Sequence, residues 1–294
     1  MVKRFVLTVC VMIGTLPVLA GSFPEDFQSA MLLFWTGKTE EAETAFVQLS
    51  ERKVAQRGVD ESLAYAATCA LALKKPELAL ERVGKIKDEN LAKLGKMQIL
   101  KDQRKYAELL ELAESDDFSK WPDGKIYGAL MCRASAYAGL KKFENAEKDF
   151  RDAIQSTLLA NDKGAALLLL GELYRDGMKD NQKAIDAYGE LMKLEDLRIG
   201  LLSKAVTSRA RLLALQGQGG QALVELSAVQ DKPIREPAII CALRVCSGEM
   251  NISLGKPNEA LACYRGAAGV TNAPEALLKE VGQKIADLEK LDQK

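Results

Sequence analysis

The sequence predicts an all-α fold, a solenoid of stacked helix hairpins, and three observations predict it. Ala146, Ala184, Ala222 and Ala260 follow one another at intervals of 38 residues, and four residues after each comes a large apolar side chain: Phe150, Tyr188, Leu226, Tyr264. A fixed period of this length marks a repeat array. Hydrophobic residues make up 48% of the chain but aromatics only 6%, a balance that suits close packing of helices. No long stretch alternates apolar and polar residues with β-branched enrichment, so no sheet is expected.

The last copy of the repeat defines the unit. Ala242, Val245, Cys246 and Met250 recur at helical spacing. Leu254-Gly255-Lys256-Pro257-Asn258 breaks that helix, because glycine accepts the left-handed conformation that ends helices and proline suits the first turn of the next. Glu259 to Ala267 makes a second helix, and Ala260 and Tyr264 give it a small and a large contact on one face. The unit is a helix–turn–helix hairpin.

Gly248, Gly255, Ala260, Tyr264 and Ala267 resemble the tetratricopeptide repeat, as do Leu170-Gly171, Tyr174, Ala184, Tyr188 and Leu191 with one extra residue in the turn. Ala134, Tyr137, Phe143, Ala146, Phe150 and Ala153 form a further good copy. Ala210, Leu213, Gly217, Ala222, Leu226 and Val229 form a weaker one, with Arg209 where the family usually has leucine. Ahead of this block, Ala30, Leu33, Gly37, Ala42 and Phe46 match the pattern; Ala67, Ala70, Ala79 and Val83 are a degenerate copy; Leu91, Leu94-Gly95 and Ala107 suggest another. The resemblance implies a right-handed α-solenoid of about seven hairpins closed by a C-terminal capping helix.

In chain order, Met1 to Ala20 reads as a secretory signal: Lys3 and Arg4 open it, Phe5 to Leu16 is its apolar run, and cleavage falls after Ala20 or Ser22. The run is short for a membrane span of roughly 20 residues, which is the alternative. The mature part, 21–294, begins with degenerate repeats over 21–114. Phe23, Phe27, Met31 and Phe34 put a helical stripe on the first helix, with Trp35 beside it; the stripe packs on the next helix or forms an exposed patch at a groove mouth. Thr36-Gly37-Lys38 turns into a helix over 40–51. Helices over 60–73 and 76–86 form the second hairpin, and 90–100 with 105–114 the third. Residues 115–124, SDDFSKWPDG, carry charges, a proline and a glycine, and read as a loop within the solenoid or a hinge between two halves. Regular repeats occupy 125–270, with loops at 160–164, 175–181, 216–220 and 230–237. Residues 271–294 hold the capping helix, whose apolar side carries Leu277, Leu278, Val281, Ile285, Leu288 and Leu291.

Charge and composition exclude several functions. With Lys3 and Arg4 removed, 39 basic residues face 41 acidic ones, without the clustered basic face of a nucleic-acid binder. There is no histidine, so Ser-His-Asp catalysis and the usual zinc ligands are missing together. No phosphate-cradling glycine loop occurs; Gly217-Gln218-Gly219-Gly220 lies in a helix–helix turn. Acid pairs such as Glu190 with Glu195, or Asp116 with Asp117, read as solvated helix surface rather than a glycosidase pair. No cofactor, metal or catalytic residue is expected. The five mature cysteines, Cys69, Cys132, Cys241, Cys246 and Cys263, are an odd number without C-x-x-C spacing and read as buried apolar residues in preference to a disulfide.

The tetratricopeptide resemblance implies that the first helices line a concave groove receiving a peptide or a partner helix. The register places Phe27, Met31, Trp35, Lys96, Met131, Glu172, Arg175, Arg211 and Glu249 on that wall. The set lacks the lysine–asparagine combination by which some family members hold a terminal carboxylate. The function expected is a non-enzymatic adaptor of a bacterial cell envelope that binds another protein, with no nucleic acid and no membrane span after signal removal. The alternatives are a self-associating structural component, and a glycan-binding protein or carboxylate-based enzyme.

Overall fold

Seven times the chain runs through the same sequence of events: a helix, a left-handed turn residue, and a second helix whose fourth and eighth positions are buried. The structure, a computed structural model, describes residues 21–292; the segment read as a secretory signal lies outside the described residues. These residues divide into two compact units between Trp121 and Pro122.

Unit one contains α1 (Phe23–Trp35), α2 (Thr39–Ser50), α3 (Gln56–Ala72), α4 (Pro76–Val83), α5 (Glu89–Asp102) and α6 (Tyr106–Ala113), then a 3₁₀ turn, Phe118–Lys120. Unit two contains α7 (Asp123–Gly139), α8 (Phe143–Gln155), α9 (Ala160–Glu172), α10 (Asn181–Met192), α11 (Ile199–Leu215), α12 (Gly219–Gln230), α13 (Pro237–Ser253), α14 (Pro257–Ala268) and α15 (Glu275–Asp292). Among the described residues there is no strand. The fold is an all-α helical-repeat array of seven hairpins and a terminal helix.

One turn design recurs. Gly37, Lys74, Arg104, Lys141, Lys179, Gly217 and Gly255 all have positive φ between their paired helices. The next residue donates its N–H back to the carbonyl five residues earlier, as in Lys38 to Leu33 (3.0 Å), Lys142 to Tyr137 (2.8 Å) and Lys256 to Asn251 (2.9 Å). This bond closes the first helix by satisfying a carbonyl its last turn would orphan. The same residue's carbonyl opens the second helix: Lys38 accepts from Ala42 at 2.9 Å and Lys142 from Ala146 at 3.1 Å.

The extra residue of the fifth hairpin is absorbed without a break. The helix continues past Glu172 as a π-helical turn, Leu173–Gly177, in which Met178 N–H reaches the Leu173 carbonyl at 3.0 Å. The closing bond, Asp180 to Tyr174, spans one residue more than in the other hairpins. The expected loop over 175–181 is therefore helical through Gly177, and the expected loop over 160–164 is the first turn of α9.

The core follows the small–large plan. Ala42, Ala79, Ala146, Ala184, Ala222 and Ala260 are fully buried, and Phe46, Val83, Phe150, Tyr188, Leu226 and Tyr264 are at most 3% exposed. The third hairpin inverts the order. Leu109 and Ala113 hold the two positions, both fully buried, while Ala107, the residue expected to carry the pattern, is exposed. Its α6 and the preceding α4 are eight residues long, against 12 or 13 in the other second helices.

Buried ion pairs add a second set of contacts. Arg133 on α7 forks onto Asp149 on α8 at 2.7 and 2.9 Å, and Asp149 is 3% exposed. Arg209, which departs from the family's leucine, makes the equivalent bond to Glu225 at 2.8 Å. It also donates to the Ile185 carbonyl at 2.5 Å. The five cysteines are free thiols, four of them buried and Cys263 half-buried, as the apolar reading expected. Burial pushes the Cys69 thiol up to about 11 and Cys246 to about 12, well outside the reactive range.

Candidate functional site

Several first helices pack on one another as well as on their own partners: α3 touches α5 in unit one, and α9 touches α11, α11 touches α13 and α13 touches α15 in unit two. No two consecutive second helices are paired to a comparable extent. Elements that crowd line the inner side of a bend and elements that spread line the outer side, so α3 and α5 form the inner wall in unit one, and α9, α11, α13 and α15 in unit two.

In unit two this wall brings together the later part of the expected set. Arg211 on α11 donates its Nε to Glu249 Oε2 on α13 at 3.0 Å, and Lys284 on α15 reaches Glu249 Oε1 at 3.1 Å. These contacts tie three first-wall helices through one carboxylate. Lys284 also lies 3.5 Å from Glu280 and 5.9 Å from the centroid of the Tyr264 ring. Burial opposes its charge, but the Glu249 hydrogen bond and attraction outweigh burial, so its pKa is raised. Lys284 was not legible as a wall residue, because α15 was read only as a cap.

Two hairpins earlier, Glu172 ends α9 and Arg175 sits in the π-helical turn. Arg175 is bound in cis, its Nε and Nη2 on the Asp176 carboxylate at 2.8 and 2.6 Å. That hydrogen bond holds the Asp176 carboxyl below its ordinary range. Beneath them, Tyr188 enters from α10. It packs on the backbone at Gly171, where an added Cβ would collide with its Cε1. Tyr188 is fully buried, and its hydroxyl makes no hydrogen bond of good geometry. Burial raises its pKa, with Arg175, Glu172, Ser208 and Asp176 as its polar surroundings. Met131, on the first helix of the preceding hairpin, α7, is half-buried.

Unit one is different. Phe27 and Met31, expected on the groove wall, pack against the first core cluster. Phe27 stands edge-on to Phe46 at 5.5 Å and to Tyr65 at 5.7 Å, because an aromatic stripe one turn apart buries most surface by facing the next helix. Of that group only Trp35 is open to solvent, 72% exposed, with Leu32 one turn before it. Lys96 is exposed, but it lines a cavity with α4 and α6, among them Glu77, Leu80, Glu108 and Leu112. It therefore belongs to the second-helix side.

Two cavities lie on that side. One of about 680 Å³ lies by α4 and α6 in unit one, and one of about 600 Å³ in unit two is lined by Asp186, Glu190, Lys193, Arg209 and Glu225. They are the gaps left where second helices spread. Neither holds the wall residues of unit two, so cavity size does not locate a partner site here.

The class defined by this arrangement is a helical-repeat array built of hairpins. Residues 128–157 match the tetratricopeptide repeat family, over most of α7 and the whole of α8. Similar solved structures have the same architecture. A tetratricopeptide repeat protein from Parabacteroides merdae is 14% identical with a TM-score of 0.50, the alignment covering 90% of this chain and 99% of that one. The C-terminal part of a TPR repeat-containing protein from Cytophaga hutchinsonii is 15% identical at a TM-score of 0.51, over 86% and 98%. The apo form of the quorum sensor NprR from B. thuringiensis is 12% identical at 0.56, over 91% and 80%. No curated protein sequence matches the chain. Residues 128–157 therefore carry a tetratricopeptide repeat, and the fold of the chain is that of the helical-repeat structures above. No described helix is long and apolar enough to cross a membrane.

Proposed function

We propose that this chain is a non-enzymatic, exported scaffold of a bacterial cell envelope whose first-helix wall in unit two receives a peptide or helix of another protein. The observation that carries the reading is the ion-paired row on that wall. Arg211, Glu249 and Lys284 come from α11, α13 and α15 and meet at 3.0 and 3.1 Å. The row presents oriented charges on a preformed surface, with the thioether of Met131, assigned to the wall by register, and the Glu172–Arg175 group elsewhere on it, a mixture suited to a chain carrying both apolar and charged side chains. Export rests on the reading of Met1 to Ala20 as a secretory signal.

Self-association by end-to-end stacking through α15 is favoured less. Val281 is fully buried, and Leu277, Ile285 and Leu288 pack inward on the Cys241–Tyr264 cluster. The remaining surface, with Lys279, Gln283, Asp287 and Lys290 exposed, is polar.

Affinity purification from the native host tests the scaffold reading. The double variant Met131→Ala/Arg175→Ala should lose a partner that the parent chain and a Lys279→Ala variant retain. Equal recovery by all three chains would remove the unit-two wall from consideration.

A further inference from the structure

Gly21 and Ser22, ahead of α1, are bound into the fold instead of trailing from it. Gly21 N–H donates to Asp26 Oδ1 at 3.3 Å, and the Gly21 carbonyl accepts from Arg52 Nη1 at 3.3 Å. Ser22 donates its N–H and its hydroxyl to Glu25 Oε2, at 3.0 and 2.9 Å. Asp26 is 8% exposed, and its other carboxylate oxygen holds Arg52 Nη2 at 2.6 Å, which ties the start of α1 to the residue pair after α2. The two carboxylates close on Gly21 together: a Cβ added there would lie 3.1 Å from both Glu25 Oε2 and Asp26 Oδ1.

The charged groups that face Gly21 are Glu25 and Asp26 on α1 and Arg52 after α2. Arg57, at the start of α3, is engaged with Glu61 at 2.8 Å. A peptide N–H serves one acceptor, and Gly21 gives its own to Asp26. A free α-ammonium at the same atom has three N–H donors and a whole positive charge, so it serves both carboxylates and sets two cations against two acids. The positive end of the α1 dipole opposes a cation here, but it amounts to about half a charge against two whole carboxylate charges.

We propose that residues 1–20 are removed at the Ala20–Gly21 bond, and that the α-ammonium released at Gly21 is seated on Asp26 and Glu25. Hydrolysis puts the oxygen of water on the Ala20 carbonyl carbon, which departs as a carboxylate, and the Gly21 nitrogen takes up the protons as an ammonium. The inference rests on the reading of Met1 to Ala20 as a secretory signal, and it decides between the two bonds that the sequence offers. Val18 and Ala20 precede one, Ala20 and Ser22 the other. Export precedes folding, so the fold does not direct the cut; it is built for the product that begins at Gly21. A chain beginning at Phe23 loses every bond that Gly21 and Ser22 make.

The full-length chain is expressed in a Gram-negative host, recovered from the periplasm, and its first residue read by tandem mass spectrometry. The expected first residue is Gly21. The seated amine is then probed at pH 7 with an acetylating ester, labelling of the N-terminal peptide being read against that of the exposed Lys279. An ammonium held by carboxylates gives up its proton less readily and is acylated more slowly. Asp26→Asn should therefore speed labelling at Gly21 about tenfold, and Glu25→Gln several-fold. Glu259→Gln, an exposed change in unit two, should leave it unchanged. Circular dichroism checks that each variant is folded, and the exposed Glu25→Gln keeps the test decisive if Asp26→Asn is not. Any other first residue, or a Gly21 amine labelled equally fast in parent and variants, would overturn the proposal and leave the export reading standing. Export with Met1–Ala20 intact would do the same. A chain that stays in the cytoplasm with that segment intact would overturn both.

Discussion

Gly171 and Gly248 carry no side chain because a tyrosine ring stands where a methyl group would go. Alanine is the better helix former by about 1 kcal/mol, but forcing a methyl into a closed contact costs about 3 kcal/mol, so packing wins. Gly171→Ala and Gly248→Ala should each lower stability by about 2 kcal/mol in urea unfolding; a neutral or stabilising result would contradict the close approach. The Arg133–Asp149 pair follows a different rule. Its carboxylate is 3% exposed, so Asp149→Ala leaves a half-buried guanidinium short of its counter-charge and should cost about 3 kcal/mol. Replacing both partners by Met and Leu should cost far less, because the charges then disappear together. The small–large positions were legible in the sequence, since periodicity reports burial directly. The ion pair was not: Arg133 and Asp149 are 16 residues apart, and charged residues on a helix give no sign of which face a neighbour covers.

The fifth hairpin shows what an element adds. Its extra residue was visible in the sequence as a longer turn, but a π-helical turn and a longer loop have the same length, and only the backbone bonds distinguish them. The π-helical turn carries Tyr174, which is 2% exposed; its hydroxyl donates to Glu147 on α8 at 2.8 Å and accepts from Arg151 at 2.8 Å. Burial and that donation push the Tyr174 hydroxyl up to about 12. Burial raises the Glu147 carboxyl, but the bonds from Tyr174 and Arg151 outweigh it and the net shift is downward. A depressed folded pKa gives stability that is present at neutral pH and is lost as the pH falls through the folded value. Glu147→Gln should therefore cost about 1 kcal/mol at neutral pH, and the difference from the parent should shrink in acid, below the ordinary carboxylate value of about 4.3. A pH-independent difference in urea midpoint would contradict the linkage. The third hairpin was misread in register at Ala107 for a related reason. Leu109 and Ala113 reverse the usual order, and a pattern search for alanine before a large residue passes over them.

At the scale of the whole molecule, the array class followed from the repeat period, because stacking hairpins is the way such units bury their faces; the number of hairpins followed from the tetratricopeptide resemblance, and the terminal helix from its own apolar stripe. One contact between the residues assigned to the wall was legible. Arg211 and Glu249 were placed on it by register and the structure brings them together. Phe27 and Met31 were assigned to it by the same register, but in α1 the stripe that register marks is the stripe that packs on Phe46 and Tyr65. Periodicity tells which residues share a face, and not whether that face meets solvent or a neighbouring helix.

The central claim is that unit two engages another protein through its first helices, and site-specific photo-crosslinking in the native host tests it most directly. A crosslinking residue is placed at Met131, assigned to the first-helix wall by register, and, in a second strain, at Val224, which is 70% exposed on the second-helix side. The account predicts one dominant foreign protein captured from Met131, absent from Val224, and reduced by Glu172→Gln. Capture from Val224 but not Met131, or of the chain itself from Met131, would contradict it.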